Sequence, residues 1–214
     1  MKTIQKHSRL AIAINLALVV ILAGSGCAYL PFFAQKEPAE KFYLSHNLWY
    51  GNPREVVSLN YKLGSMIPAG TEVSEIKIYP STNGIFFREM LQKKKIRINF
   101  QPLCHPNISI LEYSERLFTS DPPEQLLEGL SAEELSCVKA GEIRKGISKT
   151  AVLRTLGYPD DRSHAVSDSV WVYWMENTKS IILHFGEDDR LQSTEYAFVS
   201  VGIDKVDKDY KFKH

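Results

Sequence analysis

Hydrophobic and polar residues alternate in several short runs between residues 47 and 100, and a period of two predicts β-strands. Turn-forming residues separate these runs, and the pair Asn83-Gly84 is typical of a tight hairpin. Five short strands at this spacing predict a small barrel or a twisted sheet. The predicted strands are Leu48–Tyr50, Glu55–Leu59, Thr71–Tyr79, Gly84–Met90 and Ile96–Phe100.

The apolar spacing becomes helical after Pro102. Residues 107–118 follow this spacing behind Asn107, which predicts a helix of about three turns with that asparagine as its cap. The sequence Asp-Pro-Pro at residues 121–123 ends the segment. Residues 46–125 are therefore expected to form a β-rich unit with a trailing helix.

Two further helices are predicted from the residues at their ends. Ser131 and Glu134 have the spacing of a capping box, and Gly141 ends the helix that this box begins. Ser148 can cap the next helix, which Gly157 ends.

Three strands separated by polar turns follow this helix pair, so residues 131–199 predict two helices and a three-stranded antiparallel sheet. Residues 200–214 form a charged tail that is expected to fray. Together with the first unit, this pattern predicts an α+β fold. The predicted strands of the second unit are Val170–Met175, Ile181–Phe185 and Arg190–Tyr196.

The N-terminus has the pattern of a targeting segment. Three basic residues and no acid precede the apolar run Leu10–Ala23. This run is shorter than the roughly 20 residues that span a bilayer, and the small residues Gly24-Ser25-Gly26 after it suit a signal protease. We therefore expect a signal peptide at residues 1–26, followed by a tether at residues 27–45 that contains prolines and charges.

The residues Gly24-Ser25-Gly26-Cys27 resemble a bacterial lipobox, in which the cysteine sulfur is diacylated and the leader is cut just before it. The resemblance implies membrane attachment through the lipid on Cys27, to which each buried CH₂ contributes about 0.8 kcal/mol. By similarity to enterobacterial lipoproteins, Ala28 implies export to the outer membrane, with the protein facing the periplasm. The alternatives are an inner-membrane anchor, an ordinary periplasmic protein and an uncleaved leader.

Composition narrows the class of protein. Hydrophobic residues make up 44% and charged residues 24%, a balance that excludes wholesale disorder and a polytopic membrane protein. The chain has 26 basic and 25 acidic residues, a formal charge of +1. Without the three basic residues of the leader, 23 basic residues remain and the charge is −2. Nucleic-acid-binding proteins are usually far more basic, so no nucleic-acid partner is expected.

The three cysteines fit an oxidising compartment. If Cys27 is lipidated, Cys104 and Cys137 remain as an even pair, which predicts a disulfide bridge. Such a bridge would stabilise the fold by roughly 3–4 kcal/mol in the chain-entropy model. Two buried thiols are the alternative.

Residues 142–194 contain glycine, cap and aromatic positions whose roles are in packing. Their pattern resembles the small lipoprotein domain of the BamE type, also called SmpA/OmlA, which is an accessory of outer-membrane protein assembly. The β-rich unit before it resembles an SH3-like unit. Uncharacterised proteobacterial lipoproteins join an SH3-like unit to a BamE-like one, and this resemblance implies a two-module adaptor. The matched fold positions include Gly146, Ser148, Gly157, Pro159, Trp171 and Tyr173.

Aromatic residues are the candidate partner-binding residues, because amphipathic rings are enriched at binding surfaces. If Trp171 and Tyr173 face the helices, strand alternation turns Trp174 away from them and makes it a candidate contact. Trp49 and Tyr50 are the candidates in the first unit, and a ligand- or peptidoglycan-binding role of that unit predicts an aromatic groove that contains Trp49 or Tyr50.

No motif predicts catalysis, a cofactor or a metal site. Asp160, Asp161 and Asp168 lack the spacing of a calcium loop and are expected in solvated turns. His164 and His184 have no matched partner in the sequence.

The expected function is that of a noncatalytic, membrane-anchored lipoprotein that binds another envelope protein, in outer-membrane protein assembly or envelope maintenance. One alternative is a lipoprotein that binds peptidoglycan or a small ligand. Another is a periplasmic hydrolase, which would need a convergent nucleophile, base and oxyanion site. The sequence does not predict an oligomeric state.

Overall fold

The computed structural model describes residues 40–58, 64–160, 166, 168–176 and 179–198. These residues belong to one compact unit. Several predicted features lie outside the described residues and stay predictions: the signal peptide, Cys27, the charged tail, Asp161 and His164.

The first half of the described residues is a curled β half-barrel. Its elements are β1 (Phe42–Leu44), β2 (Leu48–Tyr50), β3 (Val56–Val57), β4 (Ser65–Ile67), β5 (Glu72–Tyr79), β6 (Gly84–Glu89), β7 (Lys95–Asn99), α1 (Ile110–Leu117) and β8 (Phe118–Thr119). Six strands form a sheet in the order β3-β7-β6-β5-β1-β8, in which only the pair β3 and β7 is parallel. Strands β2 and β4 form a separate antiparallel pair.

Strand alternation builds the first hydrophobic core. In β7, Ile96 and Ile98 are buried whereas Lys95 and Arg97 are exposed, as the period of two requires. The same core receives Leu44 from β1, together with side chains of β6 and α1. Full burial of each such residue stabilises the fold by roughly 1.5–3 kcal/mol.

The tether predicted for residues 27–45 is too long, because Phe42–Leu44 is strand β1. This strand pairs with β5 on one side and β8 on the other, and Leu44 is fully buried. Three strand residues are too few to show an alternating pattern, so the composition of the segment dominated its interpretation. Strands β4 and β8 were not predicted, because they are also too short to show an alternating pattern.

The cap of helix α1 is Ser109, two residues later than the predicted cap. The Ser109 hydroxyl accepts a hydrogen bond from the Glu112 N–H at 3.2 Å, and the Glu112 carboxylate accepts from the Ser109 N–H at 2.6 Å. The prediction of Asn107 as the cap is therefore wrong. A serine with a glutamate three residues later satisfies two backbone donors reciprocally, whereas a single asparagine cap satisfies one.

The second half contains the predicted helix pair and three-stranded sheet, and the α+β fold class is confirmed. The sheet is antiparallel in the order β11-β10-β9. A one-turn helix precedes the pair. The elements are α2 (Pro123–Leu126), α3 (Ala132–Ala140), α4 (Lys149–Leu156), β9 (Val170–Glu176), β10 (Lys179–Phe185) and β11 (Leu191–Phe198).

Glu134 connects the starts of α3 and α4. Its Oε2 accepts from the Ser131 N–H at 2.9 Å, which completes the predicted capping box, and its Oε1 accepts from the Ser148 N–H at 2.8 Å. Burial alone would raise the pKa of Glu134, but the hydrogen bonds from Ser131 and Ser148 lower its pKa to about 2. Helix α3 then ends at Gly141 in the left-handed conformation, as predicted.

Trp171 and Tyr173 are fully buried in the second hydrophobic core, together with side chains of α4 and β10. Both aromatic rings face the helices, as predicted. The Lys149 ammonium lies 5.7 Å from the centre of the Trp171 ring and 2.7 Å from Asp189 Oδ1. The start of α4 is thereby fixed over the aromatic face of the sheet.

Candidate functional site

The two halves meet at the corner between β1 and β2, where Asn47 is almost fully buried. The Asn47 Nδ2 donates to the Val138 carbonyl at 2.8 Å, and its Oδ1 accepts from the Ala69 N–H at 2.8 Å. The Asn47 N–H donates to the Arg154 carbonyl at 2.9 Å. One side chain thus hydrogen-bonds to the first half and to α3, and its backbone binds α4.

Both helix ends pack closely against this corner. A Cβ placed on Gly141 would lie 2.5 Å from the Trp49 ring, and one on Gly157 would lie 2.6 Å from His46 Cδ2. Gly157 has a φ of 80° and a ψ of −159°, so it ends α4 with a positive φ but outside the left-handed helical region. Glycine is needed at both positions, because any larger residue would collide with a ring.

Trp49 and Tyr50, the candidates for an aromatic groove, lie in different surroundings, and of the two Trp49 lines a recess at the junction of the halves. Trp49 packs on Gly141 at the junction of the halves. Tyr50 is 5% exposed and belongs to the first core, where its hydroxyl accepts from the Lys94 ammonium at 2.8 Å. Adjacent strand residues point in opposite directions, so one ring covers the junction and the other fills the core.

A small recess of about 30 Å³ opens at the junction. A volume of this size holds one or two water molecules rather than a whole small molecule. Both halves line it, with apolar side chains such as Leu48 and Leu156 beside polar ones. The polar lining residues are His46, Asn47, Ser58, His105, Tyr113, Arg116 and Tyr158.

Ser58 and His105 are hydrogen-bonded within the lining of this recess. The His105 Nε2 lies 3.0 Å from Ser58 Oγ, which also accepts from the Gln101 N–H at 3.2 Å. A serine next to a histidine is the pair that nucleophilic catalysis uses. Here the His105 ring stacks on Phe100 and contacts Tyr113, so the pair also closes the edge of the first core.

Ser45 contacts the side chains of His46 and Arg154 and the backbone of Arg116. The Ser45 hydroxyl contacts His46 Nδ1 at 2.8 Å and donates to the Arg116 carbonyl, while Arg154 Nη1 donates to the Ser45 carbonyl at 3.1 Å. The Arg116 guanidinium lies 5.0 Å from the centre of the Tyr158 ring, which the His46 ring meets edge-on at 6.3 Å. Burial and the charge of Arg154 lower the pKa of His46 to about 4.

Trp174 is half-buried against the second core. Its Nε1 donates to Asp160 Oδ2 at 2.7 Å, and the Asp160 N–H donates to the Val172 carbonyl at 2.9 Å. The prediction of a solvated Asp160 is wrong, because this carboxylate is 3% exposed and holds the segment after α4 against β9. Asp168 is exposed, as predicted. The role of Trp174 as a partner contact stays a prediction.

The bridge predicted between Cys104 and Cys137 is not formed. Cys104 lies in a 3₁₀ turn at residues 102–104 that borders the first core, with its sulfur 3.4 Å from Gln101 Oε1. Cys137 is buried on α3 in the second core, where burial raises the pKa of its thiol. The two cysteines thus lie in different halves, and of the two Cys137 is part of a hydrophobic core.

The matched fold residues of the second half have packing and turn roles. Gly146 has a φ of 91°, and its N–H donates to the Leu191 carbonyl at 2.7 Å. The Ser148 hydroxyl accepts from the Ala151 N–H at 3.2 Å, which confirms it as the cap of α4. Pro159 is buried and lines the recess.

Strand β11 is an edge of the second sheet, and among the described strands it pairs with β10 alone. The loop before α4 covers only its first residue, since the Leu191 N–H donates to the Ile147 carbonyl at 2.9 Å. Residues 192–196 are exposed, and Tyr196 has 59% of its surface accessible to solvent. Thr194 and Tyr196 lie opposite buried residues of β10, so they share the face that α3 and α4 cover elsewhere.

No family model, curated protein or solved structure matches this sequence. Within the described ranges, no helix has the length and apolar character needed to cross a bilayer. The same ranges hold no group of three His, Cys, Asp or Glu residues placed to bind a metal ion.

Sequence reasoning missed the basic residues of the junction. His46, Arg116 and Arg154 are separated by 70 and 38 positions and follow no common spacing. They meet because β1 inserts between β5 and β8, which brings Ser45 beside the end of α1. The edge position of β11 was equally hidden, because strand order in a sheet follows from tertiary packing.

Proposed function

We infer that this protein is a noncatalytic, lipid-anchored envelope protein that binds a partner protein through strand β11. The observation that carries this inference is that no described residue hydrogen-bonds to the outer edge of β11 after Leu191. An edge strand presents a row of backbone N–H and C=O groups, to which an extended peptide can add as a further strand. Exposed edges are usually short or charged, but residues 192–196 contain a single acid, Glu195.

Tyr196 gives this edge an apolar contact for the added strand. Its ring is largely exposed, and the Lys179 ammonium lies 5.7 Å from the ring centre. Tyrosine is enriched in binding surfaces because it combines a large apolar area with a polar end. The partner we propose is an extended segment of another envelope protein, with side chains that pack on Tyr196 and Thr194.

The anchor and the family assignment rest on the sequence. The lipobox-like residues before Cys27 support an acyl anchor in the outer membrane, with the fold on the periplasmic side. A helix pair followed by a three-stranded antiparallel sheet supports a BamE-like second half, and the curled sheet supports an SH3-like first half. A role in outer-membrane protein assembly or envelope maintenance follows from these two resemblances.

Site-specific photocrosslinking tests the binding strand. A photoreactive phenylalanine analogue replaces Tyr196 in one full-length variant and Tyr79 in a control variant. Tyr79 is the matched control because it is an exposed tyrosine, at 45%, on a strand of the first sheet. After irradiation of intact cells, we expect a discrete crosslinked protein from position 196 and none from position 79. No adduct at 196, or the same adducts at both positions, contradicts the proposal.

The anchor is tested separately by labelling cells with radioactive palmitate. We expect the wild-type protein to incorporate the label and the Cys27→Ser variant to lose both the label and its recovery with membranes. A Cys27→Ser protein that is labelled as strongly as the wild type contradicts the lipid anchor.

A further inference from the structure

The side chain of Arg116 is a positively charged group at the edge of the junction recess. The Arg116 guanidinium stacks on Tyr158 and lines the recess, and it makes no ion pair or hydrogen bond with any residue that the structure describes. A guanidinium held over an aromatic ring makes no hydrogen bond with it, so the N–H donors of Arg116 stay available to an acceptor.

No carboxylate of the described residues lies within ion-pair distance of Arg116, although Glu112, one turn earlier on α1, acts on it from a longer distance. Arg154 also has no carboxylate within ion-pair distance among the described residues, and its buried Nε has no hydrogen-bond partner there. Asp121 acts on Arg154 only from a longer distance. The neighbouring His46 stays neutral at pH 7, because burial and the charge of Arg154 lower its pKa to about 4.

The size of the recess limits what can enter it. Its volume of about 30 Å³ holds one or two groups the size of water. The two oxygens of a carboxylate meet this limit, whereas the body of a larger ligand would stay outside. Apolar walls at Leu48, Val57 and Leu156 lower the local dielectric constant and strengthen a charged contact made there.

We propose that the junction recess binds a carboxylate group of a peptide, with the Arg116 guanidinium as its two-pronged donor and Tyr158 as the platform under that guanidinium. Arginine donates two parallel N–H groups to the two oxygens of a carboxylate, which gives a geometric match that lysine lacks. The carboxylate comes from the C-terminus of the peptide or from an acidic residue within it. This site shares no residue with the β11 edge and does not depend on the function proposed for that edge.

NMR titration of the full-length protein in detergent micelles tests the proposal. The probes are N-acetyl-glycylglycine, its C-terminal amide, the α-amide of N-acetyl-glutamate, which keeps one free side-chain carboxylate, and inorganic phosphate, all at constant ionic strength. We expect either carboxylate to shift the Nε–Hε resonance of Arg116 in a saturable way, and the amide to leave it unchanged. The tighter of the two carboxylate probes identifies whether a C-terminus or an acidic residue is the source.

A pair of variants separates the site from general cation effects. Arg116→Lys keeps the positive charge but removes the bidentate donor, and we expect about tenfold weaker binding, followed in all proteins through the backbone N–H resonance of Tyr158 because this variant has no Arg116 Nε–Hε. Arg97→Lys is the matched control, because Arg97 is exposed and its guanidinium lies 5.4 Å from the Phe86 ring centre. That variant is expected to bind as the wild type does.

Three results would overturn the proposal. The first is an equal shift of the Arg116 resonance by the amide and the carboxylate in the wild-type protein, which needs no variant to fold. The second is tighter saturation by inorganic phosphate than by either carboxylate. The third is binding that Arg97→Lys weakens as much as Arg116→Lys.

Discussion

Replacing Glu134 by glutamine is expected to destabilise the second half, because this carboxylate caps α3 and also accepts from the backbone at the start of α4. Hydrogen bonds to a charged group contribute about 1.5–3 kcal/mol each. A glutamine keeps one oxygen acceptor but turns an NH₂ group toward the other backbone N–H. We therefore expect the free energy of unfolding to fall by about 2–4 kcal/mol at pH 7.

The pKa of Glu134, which the same hydrogen bonds lower, corresponds to a similar magnitude. Its pKa falls from 4.5 to about 2 in the folded protein. At about 1.4 kcal/mol for each pKa unit, the ionised carboxylate stabilises the fold by about 3 kcal/mol. Because the folded-state pKa is the lower one, this stabilisation is fully present above about pH 5 and is lost as the pH falls toward about 2. The difference between the wild type and Glu134→Gln should shrink over that interval.

Urea unfolding followed by tryptophan fluorescence at several pH values between 7 and 2.5 measures this difference. Glu133→Gln is the control, because it removes the same charge from an exposed position on the same turn of α3. It is expected to cost less than about 1 kcal/mol, the usual size of a charge interaction with a helix terminus. The reasoning is refuted if the two variants lose equal stability, or if the loss in Glu134→Gln does not depend on pH.

Three further substitutions test the junction and a cap. Asn47→Ala removes two buried hydrogen bonds and should lower the free energy of unfolding by about 2–4 kcal/mol in urea titrations; a loss below about 1 kcal/mol would contradict its role in joining the halves. Gly157→Ala should lower the melting temperature in calorimetry more than Gly129→Ala does, and should lower the free energy of unfolding by about 1–3 kcal/mol. Both glycines have a φ of 80°, but only a Cβ at Gly157 would collide with His46. Equal losses in the two variants would exclude that collision. Ser109→Ala should cost about 1 kcal/mol in thermal unfolding followed by circular dichroism, and an unchanged transition would exclude it as the cap of α1.

Local signals in the sequence predicted the helices of the second half. The caps Ser131 and Ser148 and the end at Gly141 each involve residues within four positions of one another, so the pattern contains the whole interaction. Strands β5, β6 and β7 were predicted because each is five residues or longer and shows alternation. Strand β1 has three residues, and its burial depends on partners that lie far along the sequence.

The candidate sites depend on such distant partners. The recess needs Arg116 from the end of α1 and Tyr158 from the segment after α4, and no local pattern links them. Aromatic composition marked Trp49 and Tyr50 as binding residues, but the same composition is typical of a packed junction and a core. Gly157 was predicted as a helix end, whereas its contact with His46 follows only from the tertiary structure.

The corner at residues 45–47 has a mechanical consequence. The polypeptide enters the described fold at β1, and the three residues that follow this strand are hydrogen-bonded to α1, α3 and α4 within a few ångströms of one another. A force applied to the N-terminal segment would therefore be transmitted to both hydrophobic cores at the same time. The reason is that β1 is followed directly by residues hydrogen-bonded to the helices, with no flexible linker between them. Under force, the molecule should yield as one body in a single step, at the contacts of Asn47 and Ser45.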